Sequence, residues 1–81
     1  MKIVWDEPKR YANLAKHGVD FAALGEDFFA DALVFPAKAG RWMAIGKLDA
    51  VIVVIFATLG SEGLSIISAR PASAKERKLI A

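Results

Sequence analysis

The chain opens with a short apolar run, Lys2 to Trp5, that reads as a strand, and its pattern changes at once after Asp6. Asp6 is placed as a helix N-cap, with Glu7 and Pro8 in the first helical positions where an acid and a proline are both favoured. A helix is predicted from about Glu7 to Lys16, stopping at Gly18, a residue suited to the left-handed turn after a helix. Tyr11, Leu14 and Ala15 form its apolar stripe, while Lys9, Asn13, Lys16 and His17 follow helical spacing on the other face.

Asp20 is a second N-cap candidate, with Val19 placed to staple against Leu24. Phe21, Leu24, Gly25 and Phe28 then share one face of a second helix that ends near Phe29 to Asp31. Leu33 to Phe35 is a brief strand, and Pro36 marks its end or an edge position. After a short turn at Ala37 to Gly40, a strand is predicted over Arg41 to Lys47, followed by a tight turn at Leu48 and Asp49. Ala50 to Thr58 contains Val-Ile-Val-Val-Ile-Phe and is apolar on both faces, so it belongs in the middle of a sheet covered on each side. A Gly/Ser loop from Leu59 to Gly63 leads to Leu64–Ala69, another strand-forming run. Pro71 lacks an N–H, so that strand should stop near Arg70. Ser73 and Glu76 have capping-box spacing and predict a last helix from Ser73. The order is β-α-α-β-β-β-β-α. Strands joined by short turns pair antiparallel, which gives an α+β fold with a small antiparallel sheet and helices packed on it, one domain over residues 1–81.

Composition adds two constraints. With 81 residues and no cysteine, stability must come from packing, and 56% of the residues are hydrophobic. So much apolar surface in a short chain points to a protein partner, or a second copy, that buries part of it. The formal charge of +2, from 11 basic and 9 acidic residues, argues for nucleic acid only where the cations cluster. The first residues do not form a signal peptide, and the apolar run Ala50–Ala57 falls far short of the roughly 18–20 residues that span a bilayer. A cytoplasmic protein without a membrane segment is expected.

Lys16-His17-Gly18 is the most chemical local feature. His17 is the one histidine, and a cation at a helix C-terminus is favourable electrostatics in itself. The functional reading makes His17 a general base or acid, with Lys16 stabilising an adjacent phosphate. Arg70 likewise has two readings: an ion pair with Glu76 at a strand end, or an anion clamp whose planar fork suits a phosphate. Lys75, Arg77 and Lys78 read first as a solvated helix face, and Trp5 and Trp42 as core or interface. One histidine, no cysteine and no carboxylate cage leave no metal site, and no phosphate-binding glycine loop or Ser-His-Asp order is present. No cofactor is expected.

Taken together, Trp5-Asp6, Lys9, Asn13, Lys16-His17-Gly18-Val19 and Phe21, followed by Ile67-Ser68-Ala69-Arg70 and Glu76-Arg77, resemble the BrnT family, small ribonuclease toxins of type II toxin–antitoxin systems with a RelE-like fold. The resemblance spans nearly the whole chain. It implies a metal-independent endoribonuclease that arrests translation in bacteria. It also implies a BrnA-type antitoxin whose ribbon-helix-helix part binds DNA, so that DNA is met only through the antitoxin. By resemblance Lys16, His17 and Arg70 are the catalytic candidates, and Lys9, Asn13 and Arg77 the RNA-binding ones.

Several positions depart from the family pattern. A Thr-Glu-Arg-like element is Thr58-Leu59-Gly60 here, an arginine usual five residues before Arg70 is Ser65, an aromatic position of the central strand is Ala57, and a terminal tyrosine position is Ile80. The loop from Pro36 to Gly40 is short. These changes remove proton-transfer candidates and phosphate affinity. They keep open a second reading, a non-catalytic member acting as a protein-interaction or autoregulatory module.

Overall fold

The computed structural model describes residues 1–80. Strand β1 (Lys2–Trp5) leads into helix α1 (Glu7–His17), then a 3-10 turn (Phe21–Ala23) and helix α2 (Glu26–Asp31). The chain continues through β2 (Leu33–Pro36), a 3-10 turn (Lys38–Gly40), β3 (Trp42–Leu48), β4 (Ala50–Leu59), β5 (Gly63–Pro71) and the short helix α3 (Ala74–Arg77). The five strands form one sheet in the order β1-β5-β4-β3-β2.

β4 is central, as its apolar run requires. Ile52, Val54 and Phe56 join the larger core under α2, with Phe21, Leu24, Phe28, Phe29 and, from β5, Leu64, Ile66 and Ala69. Its alternate residues face the other way: Val53 is buried with Ile45 and Ala72, while Val51, Ile55, Phe35, Met43 and Ile80 pack partly against them. Among the described residues, Ala72 and Ile80 of the C-terminal segment pack on this second face.

Three expectations are corrected. The sheet is mixed rather than wholly antiparallel: β2 to β5 form an antiparallel meander, but β1 lies parallel to β5, with Lys2 opposite Gly63 and Trp5 opposite Ile66. No hairpin joins β1 to a neighbour, so no turn dictates its direction. The second helix is broken, because Leu24 is extended and Gly25 caps a new start. Phe21, Leu24 and Phe28 nevertheless reach the same core. Finally, α1 lies the other way round from its pattern. Tyr11 and Leu14 are 59% and 39% exposed, and Ala15 is exposed, whereas Asn13 is buried and Arg10 and His17 are half-buried. The helix sits on polar contacts instead of an apolar stripe. A smaller adjustment concerns Pro71, which still pairs with Ile52 as the last residue of β5.

The layers approach closely where Gly46 of β3 passes beneath α2. A Cβ built on Gly46 would lie 2.9 Å from the Phe28 ring and 3.3 Å from the Ala32 methyl. Phe28 is itself locked edge-on against Phe29, so glycine is what lets helix and sheet meet there.

Candidate active site

Asp6 accepts the N–H of Lys9, and Gly18 closes α1 in the left-handed conformation with φ 74°, its N–H bonded to the Leu14 carbonyl. Lys16 and His17 therefore stand in the last turn. Asn13, one turn earlier, points into the protein. Its amide nitrogen donates to the Val19 and Ala69 carbonyls, each at 2.9 Å, and its oxygen accepts the Ala69 N–H at 3.1 Å. Both donors of Asn13 and its oxygen are thus engaged with backbone, although the residue, expected to contact RNA, also lines the groove between α1 and β5.

β5 carries an irregularity beside this contact. Ile55 of β4 pairs with Ser68 and Phe56 with Ile66, so Ile67 is an extra residue, a β-bulge. The bulge lies past the end of β1, on an edge left open to α1. There Ile67 and Ser68 form one wall of a shallow groove of about 210 Å³, and Lys9, Ala12, Asn13, Lys16 and His17 form the other. Larger hollows of about 340 and 300 Å³ lie between α2 and β3 and at the β4–β5 turn. Size does not choose among them. A polyanion needs cations along an open track, which the α1 groove has.

Arg70 stands opposite Val53, on the second face, two residues beyond Ser68 and so about 7 Å further along the strand. It does not line the groove. Its guanidinium takes the Glu76 carboxylate with both ends, Nη1 to Oε1 at 2.7 Å and Nη2 to Oε2 at 2.8 Å. Glu76 also accepts the Ser73 N–H, completing the capping box of α3. The Arg70 hydrogen bonds, with the Ser73 N–H behind them, hold the Glu76 carboxyl down at about 2. The same pair raises Arg70 above its usual range. Arg77 donates to the Ala72 carbonyl at 3.1 Å and belongs to this C-terminal cluster.

The structure thus brings Lys9, Lys16 and His17 together with Ser68 in the groove, while Arg70 lies about 7 Å further along β5 and Arg77 is the last residue of α3. A further pair, unforeseen in the pattern, braces the start of α1. Arg10 donates through Nε and Nη2 to the two oxygens of Asp20, at 2.7 and 3.2 Å. Asp20 is depressed by that contact and by the Ala22 N–H it caps. Its N-cap role was readable from sequence; the arginine partner ten residues back was not. Among the described residues, no group of three His, Cys, Asp or Glu side chains is placed to hold a metal ion.

The family departures map largely to one region. Ala57 and Ser65 are cross-strand partners. By strand alternation Ala57, Ser65 and Leu59 share the face that carries Ser68 and Arg70, and Ile80 packs against its buried centre. The positions where the resemblance implies charged or aromatic groups are therefore small or apolar here and surround Arg70's side of the sheet.

Comparison with known proteins bears on the family and the fold. The family model described as "Ribonuclease toxin, BrnT, of type II toxin-antitoxin system" matches residues 5–76. The chain belongs to the BrnT family. The crystal structure of the Brucella abortus ribonuclease toxin BrnT superposes with a TM-score of 0.84 at 60% sequence identity, covering 90% of this chain and 97% of that one. Comparison with curated proteins finds no match. The α+β BrnT fold, and membership of a ribonuclease-toxin family of type II systems with an antitoxin partner and an RNA target, thus stand on sequence and structure together.

Proposed function

We propose that this BrnT-family chain is a metal-independent endoribonuclease acting in the groove between α1 and β5. The single observation that carries the reading is the convergence of Lys9, Lys16 and His17 from one helix on Ser68 of a bulged strand, with Arg70 one alternate position further on. A ribose 2′-OH gives its proton to His17 as its oxygen bonds the adjacent phosphorus. The bond from phosphorus to the 5′-oxygen breaks, and that oxygen takes a proton from Lys16. Arg70 neutralises the non-bridging oxygens, on which negative charge builds. Lys9 and Arg77 guide the flanking backbone.

On this reading the protein works in the cytoplasm and is silenced by a BrnA-type antitoxin, through whose ribbon-helix-helix part it meets DNA. No helix of the described residues is long and apolar enough to cross a membrane. Leu33 and Val34 on the edge strand β2, at 41% and 47% exposure, give a surface for the antitoxin or for a homodimer. The same apolar surface, with the uncharged positions Leu59, Gly60 and Ser65, favours a second reading: a non-catalytic module that only binds the antitoxin.

Induction of the gene alone separates them. The ribonuclease reading expects growth arrest, relieved by His17→Ala or Arg70→Ala and by co-expression of the antitoxin. Normal growth with abundant folded protein, together with capture of the antitoxin, supports the binding module instead.

A further inference from the structure

We infer that Asn13 is a positioning residue that sets the register between the two halves of the site; the inference rests on the ribonuclease reading only for its catalytic consequence. Asn13 is the buried polar side chain among the described residues, 8% exposed. A buried carboxamide in an 11-residue surface helix costs stability unless its hydrogen bonds are met, and here they are met by backbone from two distant segments.

The form of the contact explains why asparagine fits. β1 stops at Trp5, opposite Ile66, so Ala69 lies past the end of its neighbouring strand. Asn13 gives Ala69 a donor for its C=O and an acceptor for its N–H, as a neighbouring strand would. One side chain thus extends the ladder where the strand has ended. Its other amide hydrogen bonds the Val19 carbonyl, just beyond the helix cap, and so pins the exit of α1. Aspartate lacks both donors, and glutamine would push the amide outward by a methylene.

The two ends of this bridge carry the site. Lys9, Lys16 and His17 lie within about one turn of Asn13 on α1, and Ser68 and Arg70 flank Ala69 on β5. Among the described residues, the hydrogen bonds joining α1 to β5 are those of Asn13. Without them the helix can shift along the edge of β5 while both elements stay formed. A displacement near 1 Å between reacting groups costs up to about 10²-fold in rate.

The test compares Asn13→Ala, Asn13→Asp and Asn13→Ser with the parent on a labelled single-stranded RNA, well below each melting temperature. Positioning is expected to show as a kcat loss of about 10- to 100-fold with KM changed less than about 2-fold. A raised KM with kcat kept is the signature of RNA contact and would overturn the inference. A second arm does not depend on cleavage. The chain has no cysteine, so spin labels at Ala15→Cys and Ser65→Cys report the α1–β5 distance. That distribution is expected to broaden in Asn13→Ala, or in Asn13→Ser where the alanine variant does not fold. An unchanged distribution in a folded variant overturns the inference. If the parent cuts no RNA but the distribution broadens, the ribonuclease reading fails and the registering role of Asn13 stands.

Discussion

Arg70 grips Glu76 through two parallel contacts of 2.7 and 2.8 Å, so the arginine proposed for the phosphate is held by a carboxylate of its own chain. The ion-pair reading of Arg70 is the one this contact shows. The Arg70 side chain is 39% exposed and that of Glu76 19%, so the guanidinium is reachable from solvent and a phosphate would compete with Glu76 for it. Glu76→Gln keeps an acceptor for Ser73 but removes the competing charge. RNA should bind a few-fold more tightly, and the dependence of log K on log salt should steepen by about 0.7, as for one added phosphate contact on a single strand. Filter binding across a salt series measures both; unchanged affinity would mean that Arg70 stays bound to α3 when RNA binds.

The pair also makes a pH prediction. The Glu76 carboxyl sits at about 2 in the fold, against an ordinary value of 4.5. Because the folded value is the lower one, its stabilising contribution is fully present above about pH 4.5 and disappears as the pH falls towards 2. Carbon-detected NMR should find the Glu76 midpoint near 2, and in Arg70→Gln it should return most of the way to 4.5. A midpoint near 4.5 in the unaltered protein would deny the contact in solution.

Gly46 is expected to be intolerant for steric reasons. A Cβ at this position would stand 2.9 Å from the Phe28 ring, which leaves no space for a methyl group. Gly46→Ala should lower stability by about 1–3 kcal/mol through overpacking, read by urea denaturation. Gly46→Ala combined with Phe28→Leu should lose less than the sum of the two single changes, since the smaller side chain makes room.

Much of this architecture was legible in the chain because local chemistry and packing agree. Asp6, Gly18, Ser73 and Glu76 cap helices as their spacing indicates, and the apolar run of β4 lies at the centre of the sheet. The parallel pairing of β1 was not legible, since it depends on where the chain returns after two helices. The orientation of α1 was not legible either. Tyr11 and Leu14 make the obvious stripe, but the buried face is set by Asn13 bonding a strand 56 residues away. The site followed the same division. The joint placement of Lys16 and His17 came from helical spacing, while the Ile67 bulge and the Arg10–Asp20 pair exist only in three dimensions.

Purified protein incubated with single-stranded RNA in excess EDTA tests the central claim most directly. The account expects cleavage to 2′,3′-cyclic phosphate ends with metal removed, and a loss of about 10²-fold or more in kcat/KM for His17→Ala and for Arg70→Ala, with both variants folded. Cleavage that disappears with EDTA, or that survives unchanged in folded His17→Ala, would contradict it.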